Sequence, residues 1–214
     1  MIFCGDVRMY ILPAKYNYVK KENENIFTYY FLINYEIPRE GWKIHISSSL
    51  GDAQNIITII ANYCYANNIS FKHVRDEALY LENISSEANS AESGKLITIY
   101  PQNEQHALKI MSDCTKLLST MAGPNILSDY QFKNSKNVFF RYGLNYASKN
   151  RNPDTFNLIS PKGEKQPDSV QPFPKLPKWI QLPQNWVLNV SDNDNILKYH
   201  PFAILKRNNG GKGR

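Results

Sequence analysis

Lys43 and His45 stand two residues apart in the run Trp42-Lys43-Ile44-His45-Ile46-Ser47. The alternation of this run reads as a half-buried strand, with Ile44 and Ile46 on one face and Lys43, His45 and Ser47 on the other. An imidazole titrates near neutrality and can pass a proton, and an ammonium beside it can stabilise growing negative charge. A wet polar sheet face has the same pattern, so the pair gains meaning only with company. Lys72 sits mid-strand between Phe71 and His73, Lys95 follows Ser93-Gly94 just ahead of an apolar run, and Arg141 lies inside Val138–Tyr142. Each alone also reads as an edge-strand charge that snorkels to water. Converging on one place, these cations would make an anion site without a metal. His73, His106 and His200 give no zinc spacing with His45, and neither a Gly-x-Ser-x-Gly elbow nor a complete phosphate-binding P-loop occurs.

The elements that must position these residues follow from periodicity. Phe27–Tyr35 is an apolar aromatic run. Ser48, Ser49 or Asp52 is expected to cap a helix to about Ala66, whose Ala53, Ile56, Ile57, Ile60, Tyr63 and Cys64 form one stripe, and Asn67-Asn68 ends it. Ile69–Val74 and Leu96–Tyr100 read as strands, and the polar stretch Glu82–Ser93 as a surface loop. A second amphipathic helix is expected from a cap near Asn103, with Ala107, Leu108, Met111, Cys114, Leu117 and Leu118 inward, stopped by Gly123-Pro124. Val138–Tyr142 is a further strand. Strands and helices alternate only in part, which predicts an α+β domain. Prolines 153, 161, 167, 172, 174, 177 and 183 then mark a segment expected to wrap or link and not to build a core.

At 214 residues, with 42% hydrophobic and 13% aromatic content, the chain is long enough for one good core. No apolar run approaches the roughly 20 residues of a membrane span, and the start lacks the pattern of a secretion signal. Cys4, Cys64 and Cys114 read as reduced thiols, the last two buried, of a cytoplasmic protein. A net charge of +6 permits an anionic partner. The Lys and Arg are scattered, with no basic helix or RNP-like strand, so a nucleic-acid partner is not expected.

Five runs, in order, carry a resemblance. They are Trp42–Ser47, Phe71-Lys72, Ser93-Gly94-Lys95-Leu96-Ile97-Thr98-Ile99-Tyr100-Pro101, Gly123-Pro124-Asn125-Ile126-Leu127-Ser128-Asp129, and Phe140-Arg141-Tyr142-Gly143. Together they resemble the N-terminal lyase domain of class III and IV lanthipeptide synthetases, which is related to bacterial effector phosphothreonine lyases. The resemblance covers about residues 40–180. It implies β-elimination of phosphate from phosphoserine or phosphothreonine in a precursor peptide, with no metal or cofactor. Lys72 is implied as general base, His45 as general acid, Lys43 and Arg141 as oxyanion and phosphate binders, and Tyr100 as a supporting hydroxyl. Where the family usually carries an arginine, ten residues before the tyrosine, this chain has Ser90; Lys95 and Arg75 are the expected substitutes. The family order of lyase, kinase-like domain and cyclase makes those domains expected partners in a longer chain. Ile204-Leu205-Lys206-Arg207-Asn208-Asn209-Gly210-Gly211 resembles the opening of the kinase. The expected division is therefore 1–180 as lyase and 181–214 as linker and kinase start. A non-catalytic module that docks the precursor peptide is the rival reading.

Overall fold

A computed structural model describes residues 8–22, 26–85, 88, 92–145, 156–168 and 171–188. Cys4, Ser90, His200 and the expected kinase start lie outside them. The strands are β1 (Tyr18–Glu22), β2 (Phe27–Leu32), β3 (Glu40–Ile46), β4 (Phe71–Val74), β5 (Ile97–Ile99), β6 (Tyr130–Gln131), β7 (Val138–Leu144), β8 (Asn157–Ile159) and β9 (Lys165–Pro167). The α-helices are α1 (Ala53–Ala66), α2 (Glu77–Ile84) and α3 (Glu104–Leu117). The architecture is α+β, as expected. One sheet has the order β1-β2-β4-β5-β3-β7-β6 with every neighbouring pair antiparallel, and β8 and β9 form a separate hairpin.

Helices α1 and α3 cover one face of the sheet. Ile44, Ile46, Phe71, Ile97, Ile99, Val138 and Phe140 bury against their apolar stripes. Asp52 is the N-cap of α1, and Ser49 Oγ donates to its carboxylate at 2.7 Å. Asn68 takes a left-handed φ of 55° where α1 ends. At α3 the Asn103 side chain accepts from His106 N at 2.9 Å, the expected cap. The stripe of α3 is rotated from expectation: Ile110 is buried, whereas Leu117 is 45% exposed.

Two expectations fail. Glu82–Ser93 is not wholly loop, because α2 runs to Ile84 behind an Asp76 cap whose side chain accepts from Leu79 N at 2.8 Å. Only Tyr80 of α2 is fully buried, so the helix leaves no periodic stripe to read. The proline-rich segment is not merely a wrap. It forms the β8–β9 hairpin, and Trp186, beyond residue 180, sits in the core at 1% exposure against Trp42 and Phe140. Proline removes a ladder donor yet is tolerated at the end of a two-stranded hairpin, and it leaves an aromatic side chain free to fill a core gap.

Candidate active site

The face of the sheet away from α1 and α3 gathers the chemistry. Antiparallel register places Lys72 opposite Thr98, Thr98 opposite His45, and Lys43 opposite Arg141. Directly paired residues share a face, so Lys72, Thr98 and His45 form one row across β4, β5 and β3, with Lys43 and Arg141 in the next row. Tyr100, two residues after Thr98, lies on the same face. β4, β5, β3 and β7 are all interior strands, so these cations are not edge-strand charges. Lys43, His45, Lys95, Thr98, Tyr100 and Arg141 are each buried, and Lys72 is partly open.

Tight turns bring the remaining groups in. Gly94 has a φ of 84° and its N–H donates to Asn83 Oδ1 at 2.9 Å; a Cβ there would lie 3.2 Å from Ile126. Glycine is thus required to turn Lys95 onto the face. Gly123 passes the end of β3 so closely that a Cβ would stand 2.4 Å from Ser48 N. That approach lets the following loop deliver Asp129, whose Oδ2 lies 2.5 Å from His45 Nδ1 and whose Oδ1 accepts from Ser128 Oγ at 2.8 Å. Lys95 Nζ lies 4.0 Å from Asp129 Oδ1 and 3.5 Å from Glu92 Oε2.

The electrostatics follow from this crowding of buried cations. Burial lowers the Lys72 amine to about 8, with Glu92 opposing and Lys95 assisting. The ammonium position of Lys72 is 3.5 Å from the centre of the Phe27 ring and 5.5 Å from that of Tyr29. Lys43, which donates to Leu144 O at 2.8 Å, is lowered to about 7 by burial and then by Arg141. Burial brings His45 down to about 4 against the pull of Asp129. Burial also pushes the Tyr100 phenol well above its ordinary range, with Tyr29 and Glu92 adding to it.

Of the residues expected from sequence, Lys43, His45, Lys72, Lys95, Tyr100 and Arg141 come together. Arg75 does not: its Nε bonds Asp76 Oδ2 at 3.2 Å, and its charge acts on Glu22 of β1. Asp129, Glu92, Thr98, Phe27 and Tyr29 belong to the cluster without having been singled out. Asp129 stood within the run Gly123–Asp129, but nothing in the sequence tied that run to His45, 84 residues away. Among the described residues no three His, Cys, Asp or Glu side chains group as metal ligands, and no helix is long and apolar enough to cross a membrane.

Fold and site together define an α+β protein whose sheet face away from α1 and α3 carries a buried His45–Asp129 pair amid buried cations. The chain belongs to the RamC N-terminal domain family, whose model matches residues 11–194. That membership agrees with the resemblance to lanthipeptide synthetases. A curated relative described as a probable SapB synthase, from Streptomyces coelicolor, is 29% identical over 151 residues, covering 69% of this chain and 16% of its own length. The chain thus spans less than a fifth of that relative. Solved structures that match include the type III effector and phosphothreonine lyase OspF from Shigella flexneri, at TM-score 0.48 and 16% identity over 60% of this chain and 71% of that one. The phosphothreonine lyase SpvC from Salmonella matches at TM-score 0.49 and 15% identity, over 64% and 77% respectively.

Proposed function

We propose that this chain removes phosphate from phosphoserine or phosphothreonine of a precursor peptide by β-elimination, leaving dehydroalanine or dehydrobutyrine. The observation that carries the reading is the row Lys72–Thr98–His45, flanked by Lys43 and Arg141. A base and an acid share one sheet face with the cations that a phosphate dianion requires.

Lys72, neutral, takes the α-proton. The C–H electrons become the Cα–Cβ double bond, the Cβ–O bond breaks, and phosphate departs with that pair while His45 protonates the leaving oxygen. A lysine at its ordinary value of about 10.4 would be a poor base at neutral pH; burial to about 8 leaves a useful neutral fraction. Lys43 meets the charge growing on the peptide carbonyl, and Arg141 and Lys95 hold the phosphate. Tyr100, kept protonated, donates into the same site. Burial holds His45 neutral at neutral pH. A phosphate dianion against Nε2, with Asp129 on Nδ1, favours the charged imidazolium, so substrate arms its own acid. The expected supplier of the phosphoryl group is a kinase domain of the same full-length protein, and a cyclase domain consumes the alkene.

The test is the product mass of a synthetic phosphopeptide. Elimination removes H3PO4, whereas hydrolysis removes HPO3. Loss of H3PO4 that disappears in both Lys72→Ala and His45→Ala supports the reading. The hydrolytic mass, or activity surviving in both variants, overturns it. Binding without any change of mass would make the chain a docking module instead.

A further inference from the structure

Asp168 follows the β8–β9 hairpin, and its main-chain N–H donates to Phe156 O at 3.0 Å. The hairpin is fastened to the start of β3, with Ile159 N donating to Glu40 Oε2 at 3.0 Å and Arg39 Nη2 donating to Asn157 O at 2.5 Å. From there the Asp168 carboxylate, 3% exposed, reaches under the site. Its Oδ1 accepts from Arg141 Nη2 at 2.6 Å and its Oδ2 from Leu144 N at 2.7 Å. The carbonyl of the same residue, in the next peptide group, accepts from Lys43 Nζ at 2.8 Å. Gly143 makes room for the carboxylate: a Cβ there would lie 3.0 Å from both Asp168 Oδ2 and Arg141 Nη2.

We infer that Asp168 is the positioning residue of the phosphate site: it clamps Arg141 and the Leu144 peptide so that Arg141 and Lys43 stay aimed at, and charged for, a phosphoryl dianion. The inference rests on the proposed reading only in taking the anion to be a phosphoryl group. A guanidinium has five N–H donors, and this bond engages Nη2, so one carboxylate can fix the plane without using the whole group. Two buried cations side by side repel, and an anion held behind them offsets that repulsion.

The charge consequence gives the test. Lys43 faces Arg141 from β7, Lys72 from β4, Lys95 and Glu92 from the turn before β5, His45 on its own strand, and Asp168. Burial, Arg141, Lys95 and Lys72 pull Lys43 down to about 7, whereas Asp168 pulls it up. Neutralising Asp168 therefore lowers Lys43 further. More of its charge is then lost at alkaline pH than at acid pH.

Binding of O-phosphothreonine and of inorganic phosphate to this chain is measured by calorimetry at about pH 6 and about pH 8, for wild type and Asp168→Asn. The expected result is binding weakened about tenfold at the higher pH and threefold or less at the lower, one unit in the Lys43 value being tenfold in its charged fraction at most. Equal weakening at both pH values reduces Asp168 to a structural brace and overturns the inference, as does unchanged binding. Should Asp168→Asn fail to fold, Gly143→Ala presses apart the carboxylate and Arg141 Nη2 with both charges kept. The same pH-graded loss is expected, and a pH-independent one refutes the proposal. No turnover is needed, so failure of the product-mass test leaves this result intact, and the reverse holds too.

Discussion

Asp129 Oδ2 lies 2.5 Å from His45 Nδ1, with the two side chains 0% and 5% exposed. Burial alone would push the Asp129 carboxyl up; His45 first, then Lys95 and Arg141, overcome this and hold it well below the usual carboxylate range. A permanent anion on Nδ1 fixes the proton there and orients the ring, so in the proposed reaction the proton that moves is the one on Nε2.

Asp129→Asn keeps the shape and the Ser128 contact but removes that anion. The expected effect is a fall of about 100-fold or more in kcat for elimination, because the imidazolium loses its support, with KM much less affected. Initial rates on a phosphopeptide check it. A defect confined to KM would place Asp129 in substrate binding and not behind the acid.

As the proposed base, Lys72 acts only when neutral, so its value of about 8 should set the rising limb of kcat/KM, while loss of charge on Lys43, at about 7, sets the falling one. Glu92 raises the Lys72 value. Glu92→Gln should therefore move the rising limb to lower pH, by up to about one unit. The reading is a kcat/KM profile for both proteins. A limb that stays put, or moves upward, would show that Lys72 is not the group titrating.

What the sequence disclosed was whatever depends on short-range pattern. The strand around Lys43 and His45, the stripe of α1 and the Asn103 cap all follow from spacing and local hydrogen bonding and are found in the fold, although β3 is buried on both faces and not half-buried. The partners of His45 and Arg141 were not legible. Asp129 reaches His45 across 84 residues, and Asp168 reaches Arg141 across 27, through contacts set by chain crossings that no local period encodes. Arg75 misled for the opposite reason. It is near Lys72 in sequence, but it lies past the end of β4 and turns to Asp76.

Trp186 tests the role of the proline-rich segment. Its ring centroid is 4.9 Å from that of Trp42 and 5.1 Å from that of Phe140, the strand neighbours of Lys43 and Arg141. Trp186→Ala is expected to destabilise the fold by about 3–5 kcal/mol, the cost of a large buried cavity. Urea unfolding at neutral pH measures it. A loss below about 1 kcal/mol would return the segment to the status of a linker.

His73 sets a pH dependence that is separate from catalysis. It lies on β4 beside Lys72, so it faces the core, stacked 5.6 Å from Tyr30; Nδ1 donates to Val74 O at 2.7 Å, and Nε2 is buried with no partner among the described residues. Burial lowers it to about 4, against an ordinary value of about 6.5 in the unfolded chain. Between those values the native state binds fewer protons than the unfolded state, so stability rises with pH across that window and is lost as pH falls through it. By about pH 5 the loss from this one group amounts to about 2 kcal/mol. His73→Phe keeps an aromatic ring against Tyr30 and cannot titrate. Urea unfolding at about pH 7 and about pH 5 should give a fall in stability smaller than that of wild type by that amount, whatever the variant's absolute stability. An identical fall in both proteins would mean that His73 is charged, or solvated, in the native fold.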